Sequence, residues 1–228
     1  VDITAGNGHS MGAAVRAAEY NRYDGREGGA AVADAIAKPE FSYDLDATQV
    51  ARYILTLDAA RPKPDVTQLK LQKLLYLAQA NYLASTGHRL FSASVEAFDN
   101  GPVVYRVLKA YSAFADSVIA PASTECNFTT VPRDARAFLD AVWDRYKDWS
   151  STELWNLTHS QRPWMDHYEP GAFRKAIPDE AMAEYFRAEV AVNERVLHPN
   201  VVVMNPAILD ELDKDEDEIV ARAVEALR

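Results

Sequence analysis

Near the start of the chain, Gly8-His9-Ser10-Met11-Gly12 has the G-x-S-x-G spacing of a nucleophile elbow. In that role Ser10 would attack a carbonyl, served by a later histidine and an acid. An elbow needs preceding strands that build its sheet and oxyanion hole, yet only seven residues come before Gly8 and the rest reads as helical. A second group, His159, Asp166, His167 and Glu169, has the right atoms for a metal but no H-x-x-x-H or H-E-x-x-H spacing. His159 reads instead as a ring that buries one face and bonds backbone in a tight turn. Lys70, Lys73, Arg106 and Lys109 are the candidates for a phosphate-binding patch; a net charge of −10 and a pI near 5.0 point to a solvated or carboxylate-paired face. The run Asp210 to Glu218 is a solvated acidic helix face or a site for a basic partner. The glycines from Gly25 to Gly29 match neither the P-loop nor the dinucleotide fingerprint. We therefore assign no catalytic, cofactor-binding or metal residue, and expect no enzyme.

The elements that would position these residues follow from periodicity. At 228 residues, 48% hydrophobic and 25% charged, the chain has the composition of a globular protein able to bury a core without staples. Its single cysteine, Cys126, excludes an internal disulfide and fits a reducing compartment. No basic-then-apolar stretch opens the sequence and no apolar run nears about 18 residues, so the expectation is a cytoplasmic protein with no membrane span. Residues 1–45 are Ala- and Gly-rich and read as a partly ordered extension. Asp46-Ala-Thr-Gln49 is a capping box, after which Val50, Tyr53, Ile54 and Leu57 keep helical spacing until Pro62 and Pro64.

Asp65 or Thr67 caps the next helix, Gln68 to Thr86, which is apolar over most of its circumference and stops at Gly87. It reads as a central helix with a narrow solvated strip at Gln68, Lys70, Gln72, Lys73 and Gln79. His88 to Phe98 fits one or two short strands. Asn100-Gly101-Pro102 reads as a turn with Pro102 opening a helix, and Val118-Ile119 as a further short strand. Pro132 opens a helix with Ala135, Phe138, Leu139, Val142, Trp143 and Tyr146 on its inner side. Ser150-Ser-Thr-Glu153 is a second capping box, Thr158 to Gly171 an irregular aromatic stretch, and Pro178 the start of a helix to about Leu197. A last, acidic helix is expected over 207–228. The fold class is mainly α, a helical domain around one buried central helix with a small antiparallel β element.

Lys70-Leu-Gln-Lys-Leu-Leu-Tyr76, Ala78-Gln79, Leu90-Phe91, Glu96-Ala97-Phe98 and Gly101-Pro102-Val103, followed by Glu153-Leu-Trp-Asn-Leu-Thr-His159 and Pro163-Trp164, resemble the Panacea domain, also known as the GepA-like or SocA-like phage-associated domain. The pieces occur in order between residues 46 and 175. Phe98 with Asp99-Asn100 departs from the family, which usually has a tryptophan there. Residues 1–45 and 176–228 lie outside the resemblance.

The resemblance implies an antitoxin that binds and neutralises a toxin protein encoded by a neighbouring gene, blocking its active site or substrate access. Delivery of the toxin to a protease, reversal of its modification, and transcriptional autorepression stay open, as does a homo-oligomer or a toxin–antitoxin hetero-oligomer. Nucleic acid is not expected as a partner. Candidate toxin contacts are Lys73 and Gln79 on the strip of the central helix, Asn100 at the turn, and Trp164 and Tyr168 in the aromatic stretch.

Overall fold

The computed structural model describes residues 41–43, 45–119, 131–172 and 174–201, all within a compact unit spanning 28–201. Gly8–Gly12, Cys126 and the acidic run of 210–218 lie outside the described residues. Seven α-helices and three short strands make up the described part, a mainly α fold with a minor antiparallel sheet.

Helix α1 (Ala47–Ala59) starts at the expected capping box. The Asp46 carboxylate accepts from the Thr48 N–H at 2.8 Å, and Gln49 accepts from the Asp46 N–H at 3.3 Å. Partial burial raises the Asp46 pKa, but the Thr48 bonds and the Arg106 guanidinium at 2.5 Å outweigh it and hold the carboxyl below its ordinary value. Replacing Asp46 by Ala is expected to cost about 1 kcal/mol, read from the urea midpoint. After α1, the buried Asp58 carboxylate accepts from the Asp65 N–H at 3.1 Å and the Val66 N–H at 3.0 Å, closing the Pro62–Pro64 loop.

Helix α2 (Gln68–Thr86) is capped by Thr67 and ends at Gly87, whose φ of +77° is the left-handed conformation of a helix stop. Every residue from Lys70 to Ser85 is buried. The solvated strip is thus corrected: of its five members only Gln68 is not fully buried, because helices and a hairpin pack around the whole circumference of α2. Its polar side chains stitch distant loops to it. Lys70 donates to Asp65 and to the Lys147 carbonyl, each at 2.7 Å. Gln72 accepts from the Val104 N–H at 2.8 Å, and Asn81 from the Val196 N–H at 2.8 Å. Gln79 accepts from the Leu90 and Phe91 N–H groups at 3.0 and 3.2 Å and donates to the Phe91 carbonyl at 3.2 Å.

Gln79 is therefore an internal brace for the chain reversal after α2, and the expectation that it lies on an exposed strip is corrected. Gln79→Leu leaves two buried N–H groups and one carbonyl without partners, and a loss of about 3 kcal/mol is expected on chemical denaturation.

Strands β1 (Glu96–Phe98) and β2 (Gly101–Val103) form an antiparallel hairpin, with Ala97 opposite Pro102 and Phe98 opposite Gly101; β3 (Lys175–Ala176) pairs on the other side of β1. Pro102 thus lies in a strand, and helix α3 (Tyr105–Ala110) starts only after Val104, correcting the expectation that Pro102 opens the helix. The edge position of β2 tolerates the missing N–H. Phe91 makes a single bridge to Leu45, and Val118 one to Thr67, in place of longer strands.

Helix α4 (Arg133–Tyr146) buries the six expected residues. Helix α5 (Ser151–His159) carries the second capping box, and the short α6 (Arg162–Met165) gives order to part of the stretch read as irregular. Helix α7 (Asp179–Ala188) ends earlier than the expected Leu197. There the chain folds back: Arg195 donates to the Val190 carbonyl at 2.8 Å and the Val196 N–H is captured by Asn81, so Val196 and His198 are buried. Met182, Ala183 and Phe186 of α7 are also buried, with Phe186 edge-on to Tyr76 of α2 at 6.2 Å. The core thus continues well past residue 175.

Candidate functional site

The hairpin turn between β1 and β2 is held by its own carbonyl oxygens. The Trp164 indole Nε1 of α6 donates to the Phe98 carbonyl at 2.9 Å. A ring nitrogen of His159, at the end of α5, lies 3.3 Å from the Asp99 carbonyl, and the other lies 2.7 Å from the Trp155 carbonyl. The Lys73 ammonium, from the middle of α2, donates to the carbonyl of Asn100 and, at 3.1 Å, to that of Pro102. Four carbonyls within five residues are met by three side chains from three helices.

Gly101 makes this closeness possible. Its φ is +90°, and a Cβ there would sit 2.7 Å from both the His159 Cε1 and the Lys73 Nζ. Only a residue without a side chain fits under the ring and the ammonium.

Beside the turn stands a column of rings. Trp155 stacks on His159 with centroids 3.7 Å apart, His159 meets Trp164 at 4.2 Å, and Trp164 stacks on Tyr168 at 4.7 Å. The Tyr168 hydroxyl donates to the Asp99 carboxylate at 3.0 Å, and this bond raises the phenol pKa. Removing only that hydroxyl, in Tyr168→Phe, is expected to leave the melting temperature close to the parent's, because the bond is exposed to water; the check is a thermal melt of the two side by side. At the solvent side, the Asp99 and Asn100 side chains are exposed and Met165 is 52% exposed. Glu96 of β1 is gripped by Arg174, which also lies over the Tyr105 ring at 4.1 Å.

The electrostatics of the site are set by burial. Lys73 is fully buried with backbone oxygens as its hydrogen-bond partners, and desolvation lowers its pKa to about 7. Desolvation also pushes His159 below its ordinary value, against the opposing pull of its two backbone bonds. The pair is built for geometry: Lys73 donates to two carbonyls of the turn, and the His159 ring nitrogens face carbonyls of the turn and of α5.

The structure brings Lys73, Asn100, Trp164 and Tyr168 together and leaves Gln79 elsewhere, at the Leu90–Phe91 reversal. Lys73 belongs to the turn from beneath, buried, which corrects its expected place on a solvated strip. Trp155, Asp99 and Gly101 were not singled out as site residues from sequence. The four-residue spacing of Trp155 and His159 on one helix carries a signal for their stacking. Arg106 pairs with Asp46 and Lys70 with Asp65, so these cations are tied to carboxylates. Among the described residues no three His, Cys, Asp or Glu side chains are grouped to hold a metal, and no helix is long and apolar enough to cross a membrane.

Residues 71–165 match the family model of the antitoxin SocA-like, Panacea domain. No curated protein and no solved structure matches the chain. The matched segment opens in α2 just before Lys73 and closes on α6 just after Trp164, so it contains the turn and every side chain that holds a turn carbonyl. Over residues 71–165 the chain is thus similar to the antitoxin SocA-like, Panacea domain family.

Proposed function

We propose that this protein is the antitoxin of a two-gene toxin–antitoxin system and neutralises its toxin by direct, stoichiometric binding. The reading rests on the antitoxin-like domain, and one observation favours binding over chemistry. The buried lysine and the histidine of the site, the groups best suited to acid–base work, both have their nitrogens turned to backbone carbonyls. What they hold in place is an exposed turn, Asp99–Asn100, beside an aromatic wall. An interface of roughly 1,600 Å² would occlude an active site or its approach. The setting is cytoplasmic, and the working species is a hetero-oligomer with the toxin.

The test is co-expression with the product of the neighbouring open reading frame, followed by pull-down and a growth-rescue titration. Rescue near one equivalent, with the toxin persisting in a complex, is the expected result. Rescue far below one equivalent without a lasting complex would point to an enzyme that reverses the damage. Antitoxin-dependent loss of toxin would point to a protease adaptor.

A further inference from the structure

We infer that Lys73 is the positioning residue of the toxin-contacting turn: its buried Nζ, donating to the Asn100 and Pro102 carbonyls, fixes the shape in which Asp99 and Asn100 are presented. This inference rests on the antitoxin reading and adds to it which buried group controls the contact surface.

The argument starts from what a lysine costs in this place. A fully buried ammonium loses its hydration, and a carboxylate partner is the usual compensation. Asp65 compensates Lys70 in this way, one turn earlier on α2. Lys73 has two carbonyls of a turn instead. An apolar side chain of the same length would fill the space more cheaply, so the buried amino group is better explained by what it orders than by stability.

What it orders is specific. A two-residue turn between three-residue strands has few ladder bonds of its own and would sample several shapes. Lys73 removes that freedom by gripping the chain on both sides of Gly101, while His159 and Trp164 grip it at Asp99 and Phe98. The exposed side of the same two residues, an acid and an amide beside Trp164, Tyr168 and Met165, is the part free to meet a partner. A turn already ordered before binding loses less entropy on association, which strengthens affinity without adding a contact.

The experiment uses the full chain and the protein encoded beside it as the probe. Lys73→Met keeps the aliphatic length and removes the ammonium. Isothermal titration separates two effects: a partly unfolded antitoxin lowers the binding stoichiometry, whereas a loosened turn weakens Kd with the stoichiometry unchanged. The expected result is a Kd at least ten-fold weaker at unchanged stoichiometry. Amide hydrogen exchange on the free variant should be faster at residues 99–103 and unchanged in α2.

Asn100→Arg, at an exposed side chain, is the second variant, and covers the case in which Lys73→Met does not fold. It should abolish binding while leaving the melting curve in place. Wild-type binding with an unchanged Kd for a folded Lys73→Met, equal exchange at 99–103 in the two proteins, or full binding by Asn100→Arg would each overturn the inference and leave the antitoxin reading standing. Failure of the wild type itself to bind the neighbour would overturn that reading, and the inference with it.

Discussion

Lys73→Met should change the slope of stability against pH, and this is among the largest effects expected from any single substitution here. Burial lowers the Lys73 pKa from 10.5 to about 7. Between those two values the unfolded chain carries a proton on this side chain that the folded chain does not. Unfolding then takes up a proton, so stability rises with pH across the window. The contribution is complete above about 10.5 and is lost progressively as pH falls to about 7. One pH unit inside the window corresponds to about 1.4 kcal/mol. The folded group is still half protonated at pH 7, so from pH 7 to pH 9 the wild type should gain roughly 2 kcal/mol relative to Lys73→Met.

The difference between the two proteins isolates this residue and its effect on His159, whose pKa the Lys73 charge helps to lower. Below about pH 7 the wild type bears the whole desolvation cost, so the variant compares most favourably there. It still loses the two hydrogen bonds to the turn, which offsets part of that gain. Urea unfolding of both proteins from pH 6 to pH 9 is the measurement; parallel curves would show that Lys73 keeps an ordinary pKa in the fold.

Features set by neighbours in sequence were legible from the chain alone. The capping boxes at Asp46 and Ser150 form as expected because cap and N3 residue are three apart and need nothing else. Helix α2 was legible as the core because leucines, tyrosines and alanines cover most of its surface. Its polar strip was misread for a physical reason. Whether Gln72, Lys73, Gln79 or Asn81 faces water depends on partners such as the Val104 N–H, the Asn100 carbonyl, the Phe91 N–H and the Val196 N–H. Those lie between 12 and 115 residues away, and periodicity carries no information about them.

Pro102 failed similarly. Asn-Gly-Pro has the same local chemistry before a helix as in a hairpin, and only pairing with Ala97 decides between them. The early end of α7 is likewise settled from a distance, by Asn81 and Arg195. At the site, the turn and aromatic residues were legible as a set through the family resemblance. Their arrangement was not, because four carbonyls are caught by side chains on three separate helices.

Two glycine-to-alanine substitutions should separate the strain of the turn from the crowding around it. Gly87 and Gly101 both have positive φ, +77° and +90°. At Gly87 a Cβ would meet nothing within 4 Å, so alanine bears only the backbone penalty, about 1 kcal/mol. At Gly101 the same penalty is joined by a Cβ 2.7 Å from the His159 ring and from the Lys73 ammonium. Neither neighbour can yield freely. The ring is packed between Trp155 and Trp164 with its nitrogens against two carbonyls, and Lys73 Nζ is bound to the turn that carries the new methyl. Relief therefore requires breaking at least one bond to the turn, and a total loss of about 3–4 kcal/mol follows.

For a domain of this size that is a fall of roughly 10 °C in Tm for Gly101→Ala, against about 3 °C for Gly87→Ala. On the proposed antitoxin function, binding to the toxin should divide the two further. Gly87→Ala, at the far end of α2 from the turn, keeps full affinity at 25 °C, whereas Gly101→Ala lifts the turn from Lys73 and His159 and binds weakly even where folded. Equal losses in Tm and equal affinities would mean that the close approach at Gly101 is relaxed at no cost, and that the turn is not held by the side chains beneath it.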